Sequence, residues 1–143
     1  MAFEELESTI LDACAGGPEW PAGVAAAIYA GVDFAITHPE LVEGLDDEGG
    51  PGAASSRGYD LVITRLTQFL RQRAPAEDRL PGSTDEALVA GVVGLVGDHL
   101  RIGKLERLAE LRPDLVLLTL LPYLGFAEAR RWANDSAEGT ETA

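Results

Sequence analysis

Residues 83–124 read STDEALVAGVVGLVGDHLRIGKLERLAELRPDLVLLTLLPYL, and this stretch decides the fold. Two segments within it, Ala87–Gly97 and Leu115–Leu124, carry no charged side chain, and the second is interrupted only by Thr119 and Pro122. A helix at the surface of a globular protein needs an apolar stripe only about 100° wide. A helix that is apolar on nearly every side must be covered from several directions. We therefore predict two helices whose cover comes partly from a second subunit.

A helical wheel of residues 88–102 at about 100° per residue separates three arcs of side chains. One arc contains Leu88, Val92, Leu95, His99 and Ile102, and the next contains Val89, Val93, Val96 and Leu100. The third arc is mostly alanine and glycine, and each glycine inside a helix costs about 1 kcal/mol relative to alanine. Such a face favours close approach of another helix. The alternative, in which both helices form the centre of a monomeric bundle, stays open, whereas a membrane span would need about 20 apolar residues.

The length and composition of the chain limit the kinds of partner and the cellular compartment that can be expected. The 143 residues include 11 Lys and Arg against 24 Asp and Glu, which gives a net charge of −13. This length suits one domain with a substantial core, and the negative field repels nucleic acids and anionic membranes. The single cysteine, Cys14, forms no internal disulfide, and no apolar leader with a basic start is visible. A cytoplasmic location is therefore expected.

Apolar spacing, glycine and proline predict the remaining elements. The predicted helices cover residues 3–14, 21–37, 39–45, 53–75, 83–102, a single turn at 105–108, 113–124 and 126–133. The acidic loop Asp46–Gly52 lacks the ligand spacing of a calcium-binding loop. Ser83 and Glu86 have the spacing of a capping box at a helix start. We expect one domain over residues 1–133 and a flexible acidic tail over 134–143.

Catalytic signatures are missing from the sequence. It contains two histidines and one cysteine, without a nucleophile elbow, a zinc-protease helix or a phosphate-binding loop. His99 lies in an aliphatic arc, where a histidine serves more often in a core or an interface than as a ligand contact. We therefore expect no enzyme, no metal and no cofactor. A reaction using His99 with a carboxylate is the remaining enzymatic alternative.

The order of these features resembles the C-terminal, effector-binding and dimerising domain of TetR-type transcriptional regulators. Three stretches carry the resemblance: Trp20–Phe34 with the following His38–Leu41, Leu80–Gly103, and Leu115–Leu121 followed by Pro122–Gly125. The resemblance implies an all-α helical bundle of about six to seven helices, in which the last two long helices pair with those of a partner to form a dimeric four-helix bundle. It also implies an apolar ligand pocket among the earlier helices.

On this basis we expect a homodimer that senses a small apolar or amphipathic effector. The pocket is expected between the helices predicted over 21–37, 53–75 and 83–102. Its predicted lining residues, which face inward on these helices, are Tyr29, Phe34, Tyr59, Ile63, Leu66, Leu95 and His99. The predicted dimer interface consists of Val89, Val93, Val96, Leu100, Leu117, Leu120, Leu121 and Leu124.

One part of the family pattern has no counterpart here. In TetR-type regulators a helix-turn-helix domain precedes this domain, and the helix predicted from Phe3 resembles the connection that follows it. The chain is thus expected to be either a fragment or a protein without its own DNA reader, so no nucleic-acid contact is expected from it. A helical protein that only dimerises, for example by capturing full-length regulators, is the alternative function.

Overall fold

The computed structural model describes residues 2–14, 19–38 and 54–142, with side chains for 4–14, 19–38 and 60–138. This part of the chain contains seven α-helices and a short 3₁₀ turn at Ala76–Asp78, without a strand. The helices are α1 (Ala2–Cys14), α2 (Trp20–Thr37), α3 (Ala54–Arg73), α4 (Thr84–Arg101), α5 (Leu105–Glu110), α6 (Arg112–Leu124) and α7 (Phe126–Thr142). The predicted all-α class is confirmed. The helix predicted at 39–45 and the loop Asp46–Gly52 lie outside the described residues.

The helices pack mainly as neighbouring pairs. Helix α1 lies against α2, α3 lies against α4, and α6 lies against α7, while α2 also contacts α6 and α7. Two groups of buried side chains result. The first group joins α1, α2 and α3 with the ends of α4, α5 and α6, and the second joins α2, α3 and α4 with α6 and α7. Helices α2, α3, α4 and α6 contribute to both groups and link them.

Glycine ends two helices as the sequence predicts. Gly103 has φ +77° and follows α4, with its N–H bonded to Leu100 O at 3.1 Å and the N–H of Lys104 bonded to His99 O at 3.0 Å. These two bonds are those of a Schellman motif, which requires a left-handed residue that glycine adopts easily. Gly125 has φ +84° and separates α6 from α7.

The predicted capping box is wrong. Ser83 precedes α4 with φ −101° and ψ 23°, and its side chain makes no capping hydrogen bond. An N-cap residue normally has an extended backbone that aims its hydroxyl at the first turn. The Glu86 N–H instead donates to Asp85 Oδ1 at 2.9 Å, and the Thr84 hydroxyl donates to Pro81 O at 2.7 Å.

The last helix is longer than predicted. Helix α7 continues to Thr142, so the helix end predicted at residue 133 is wrong. The small and polar composition after Ala133 predicts fraying, and one contact with α2 lies near the start of this stretch, at Ser136. Ala133 is buried, and the Ser136 hydroxyl lies 2.7 Å from Ala133 O and 3.4 Å from the Tyr29 hydroxyl of α2.

Candidate functional site

An apolar cavity lies where α1, α2, α3 and α4 meet, and Thr119 of α6 reaches it. Its volume is about 130 Å³. Its lining includes Leu6, Ile10 and Cys14 of α1, Ile28 and Val32 of α2, Val62, Leu66 and Phe69 of α3, and Val89, Val92, Val93, Val96 and Leu100 of α4. The cavity borders both groups of core side chains, because its lining includes members of each.

The described lining offers almost no polar chemistry. Cys14 and Thr119 are its only side chains with a sulfur or oxygen atom. Burial raises the pKa of the Cys14 thiol to about 11, so this thiol stays protonated at neutral pH. The Thr119 hydroxyl donates to Leu115 O of its own helix at 2.8 Å, which uses its proton. The cavity therefore suits uncharged apolar matter.

An apolar ligand in this space would cover the aliphatic side chains of the lining. Removing apolar surface from water is favourable by about 25 cal/mol per Å², so such binding would stabilise the folded chain.

The cavity lies among the three helices that were predicted to enclose the pocket, with α1 added. Of the seven residues predicted to line it, the structure places Leu66 there. Ile63 packs in the second core group and Leu95 packs against the first. The side chain of Tyr59 lies outside the described residues.

The predicted polar and aromatic lining residues make other contacts. The Phe34 ring stacks on His38 with a 3.7 Å centroid separation, and His99 Nδ1–H donates to Leu95 O at 2.9 Å. Tyr29 faces α6 and α7. The Arg112 guanidinium of α6 lies 4.9 Å from the centre of its ring, and the Ser136 hydroxyl of α7 lies 3.4 Å from its own hydroxyl. Arg112 also bonds Asp33 at 2.8 Å. The contacts of Tyr29 and Asp33 join α2 to α6, whereas those of Phe34 and His99 are made with residues four positions away in the same segment.

The two apolar arcs of α4 contribute unequally to the cavity, and Val92 is the residue of the arc predicted for the pocket that lies in its described lining. The arc predicted to form the dimer interface, Val89, Val93, Val96 and Leu100, lines the cavity, as do the Ile28, Val62 and Phe69 positions that were not proposed. Both arcs are aliphatic and adjacent, so hydrophobicity alone could not orient them. The regular spacing of Val62, Leu66 and Phe69 was the available signal for the α3 side.

The chain itself covers part of the predicted interface. Val89, Leu100 and Leu120 are buried within the chain, so they are unavailable to a partner in this arrangement. Val93, Val96, Leu117 and Leu124 are half-buried, and Leu121 is exposed. Among the described residues the outer face of α4 is open instead: a Cβ atom added at Gly91 or Gly94 would meet none of their atoms within 4 Å. Other exposed residues on these faces are Ala87, Ala90, Leu118 and Pro122.

A polar cluster lies outside the cavity, where α3, α4 and α6 meet. Arg71 Nε and Nη2 donate to the two carboxylate oxygens of buried Asp85 at 2.6 and 2.8 Å. This bidentate hydrogen bond is the main cause that lowers the pKa of Asp85. The Tyr123 hydroxyl is buried without a hydrogen-bond partner among the described residues, and burial raises its pKa to about 12. Such a phenol stays protonated and is a poor base.

The described residues provide little evidence for a metal site or a membrane span. No group of three or more His, Cys, Asp or Glu side chains among the described residues could hold a metal ion. Helix α2 is long and apolar enough to cross a membrane, with a mean hydropathy of 1.2 over Trp20–Thr37. This is weak evidence for a membrane, because a core helix satisfies the same criterion and α2 buries residues such as Val24, Val32 and Ala35.

Comparisons with protein-family models, with curated proteins and with solved structures found no match for this chain.

Proposed function

We propose that this chain is the effector-binding and dimerising domain of a TetR-like transcriptional regulator that senses a small, mostly apolar ligand. The observation that carries the proposal is the apolar cavity among α1, α2, α3 and α4. Its position matches the pocket expected from the order of the apolar helices. The absence of charged groups from the described lining favours binding over catalysis, because catalysis needs convergent reactive groups.

The position of α1 supports a regulatory use of the cavity. Leu6, Ile10 and Cys14 of this helix contribute directly to the lining. The resemblance identifies α1 with the helix that connects to a DNA-binding domain, so a ligand in the cavity touches the connection itself. Binding then shifts α1 relative to α2 and α3, which is a small movement that a rigid attached domain would amplify.

Open faces of α4 and α6 support the dimer. The outer face of α4 consists of Ala87, Ala90, Gly91 and Gly94, which permit another helix to approach closely. Leu118 is 43% exposed and Leu121 is 37% exposed on α6. Apolar side chains at this level of exposure gain stability when a partner covers them.

Ligand binding is tested by thermal denaturation with and without small apolar compounds. A ligand that binds only the folded state raises stability by about 2.7 kcal/mol at a hundred times its Kd. We expect stabilisation of the wild-type chain and a loss of this effect in Val96→Phe, which places a larger side chain in the cavity. Leu61→Phe, at an exposed leucine of α3 outside the cavity lining, is the matched control that retains binding. Equal stabilisation of both variants would contradict the assignment of the cavity.

Dimerisation is tested separately by sedimentation. The wild-type chain is expected to sediment as a dimer and Gly94→Leu as a monomer, because the added side chain separates the two helices. Ala26→Leu, at an exposed alanine of α2, is the matched control and should remain dimeric. A monomeric wild-type chain would remove the dimer from the proposal. A dimer that no apolar compound stabilises would favour the alternative, a protein that only dimerises.

A further inference from the structure

We infer that the ligand of the cavity is a neutral, hydrocarbon-like molecule about the size of one six-membered ring, which is held without a polar anchor. This inference rests on the proposed function and gives its ligand a chemical class. Three properties of the cavity carry it: its lining, its volume and the state of its two polar side chains.

The lining excludes charged ligands. The described side chains around the cavity are aliphatic apart from Phe69, Cys14 and Thr119, and none of them carries a charge at neutral pH. An ammonium or carboxylate group entering this space would lose its hydration with no opposite charge or donor to replace it. Acids, amines and phosphorylated compounds are therefore disfavoured as ligands.

The two polar side chains do not provide a hydrogen-bonding anchor. Thr119 already donates its hydroxyl proton to Leu115 O, so it can only accept a further bond. The buried Cys14 thiol is at best a weak donor. A ligand hydroxyl or carbonyl thus gives up strong bonds to water for weak ones, whereas a hydrocarbon loses no hydrogen bonds on entry.

The volume sets the size of the ligand. The cavity measures about 130 Å³. A cavity of about 150 Å³ engineered into another protein, lined by similar aliphatic and aromatic residues, stays dry and binds benzene. The comparison favours a single ring or a compact branched hydrocarbon over a long acyl chain or a fused polycyclic molecule.

The experiment uses a panel of matched probes with the full chain, measured by calorimetric titration and thermal denaturation. Benzene, toluene and cyclohexane test the proposed class. Phenol, benzylamine and benzoate have a similar size with a polar or charged group, and anthracene is apolar but too large. We expect the three hydrocarbons to bind at least tenfold more tightly than phenol and the charged probes and anthracene not to bind.

Two variants locate the binding and its chemistry. Val96→Phe should abolish hydrocarbon binding, with Val93→Leu as the milder substitute if the first does not fold, whereas Leu61→Phe at an exposed position of α3 should leave it unchanged. Thr119→Val removes the hydroxyl at nearly constant volume and should leave toluene affinity within twofold. A tenfold loss of phenol affinity in Thr119→Val, with toluene affinity unchanged, would overturn the inference, because it would reveal a polar anchor.

The outcomes separate this inference from the proposed function. Tighter binding of phenol, benzylamine, benzoate or anthracene than of toluene, lost in Val96→Phe, would overturn the ligand class but support the cavity as a ligand site. Failure of every probe to bind, together with a higher melting temperature for Val96→Phe, would identify a packing void and overturn both.

Discussion

Helices α4 and α6 have similar apolar sequences but different surroundings in the fold. On α6, Val116 and Leu120 are 0% exposed, because α2 and α7 cover that side of the helix. On α4, one side faces the cavity through valines such as Val93, and the opposite side presents Gly91 and Gly94 to open space. Similar sequence segments thus form a core helix in one case and a helix between a cavity and an open face in the other.

The difference shows that the apolar sequence of a helix does not predict which element packs against it. The cover of α6 comes largely from α7, whose full length was not predicted. The described residues cover α4 on one side only. In the proposal, a second subunit covers the other side. Substitutions on the covered and open sides of α4 and α6 distinguish these two surroundings.

Truncation of the buried side of α6 should have the largest effect. Leu120→Ala removes a fully buried side chain and is expected to lower the free energy of unfolding by about 3 kcal/mol. Leu118→Ala, on the exposed side of the same helix, is expected to cost less than about 1 kcal/mol. Chemical denaturation at low protein concentration measures both. Equal losses would mean that both sides of α6 are covered within one chain.

Glycine substitutions compare the open face of α4 with a tight helix contact. A Cβ at Gly23 would lie 2.8 Å from the backbone oxygen of Cys14, so Gly23→Ala should destabilise the chain by about 2 kcal/mol. Gly94→Ala has room and should stabilise the isolated chain by up to about 1 kcal/mol through helix propensity, while weakening the dimer. Denaturation at low concentration and sedimentation test the two effects. A destabilised monomer in Gly94→Ala would show that the face is not open.

The Asp85→Asn substitution tests the polar cluster where the start of α4 meets Tyr123 of α6. Its folded-state pKa is lowered, chiefly by the hydrogen bond from Arg71, so its contribution to stability is present above the ordinary pKa and disappears as the pH falls through the lowered value. Asp85→Asn should lower the melting temperature by roughly 5 °C at pH 7. The difference from the wild type should persist down to about pH 5 and shrink below about pH 4.

Asp98→Asn is the matched control for Asp85 on the same helix. The Asp98 carboxylate is 70% exposed and pairs with Arg101 one turn away, so its removal should change stability little. A pH-independent difference between Asp85→Asn and the wild type would show that the Asp85 charge does not stabilise the fold.

Substitution at Ser83 should have the smallest effect. Because its side chain makes no cap, Ser83→Ala is expected to change stability by less than about 0.3 kcal/mol, whereas a functional N-cap is worth about 1 kcal/mol. Thr84→Ala, which removes the hydrogen bond to Pro81 O, is the companion variant with the larger expected loss. A loss of about 1 kcal/mol in Ser83→Ala would mean that the capping box forms in solution.

Much of the fold was predictable because its signals are local. Helical spacing placed α1, α2, α4 and α6 within a few residues of their observed bounds, and Gly103 and Gly125 marked two ends through their left-handed backbone. The capping box failed because Asp85 Oδ1 accepts the Glu86 N–H that Ser83 was expected to bind. The end of α7 was misplaced because the small and polar residues after Ala133 lack an apolar helical pattern, and the contact of Ser136 with Tyr29 of α2 joins residues far apart in sequence.

The candidate site was predictable in its location but not in most of its residues. The three helices around the cavity were anticipated, yet among the proposed lining residues whose side chains the structure describes, only Leu66 lies there. Aromatic and polar residues were favoured as ligand contacts, and the structure uses Tyr29, Phe34 and His99 in helix contacts instead. The cavity is lined mostly by valine, leucine and isoleucine, which the sequence does not distinguish from ordinary core.

The sequence by itself determined that this protein is helical and acidic, with two late helices too apolar to stand alone. These properties follow from spacing, composition and the conformational limits of glycine and proline, which act within a few residues. The tertiary structure decided which side of α4 faces the cavity, that α7 covers α6, and that Asp85 is held by Arg71. Those outcomes depend on how side chains from distant segments fill a common volume, and this is a property that no single segment contains.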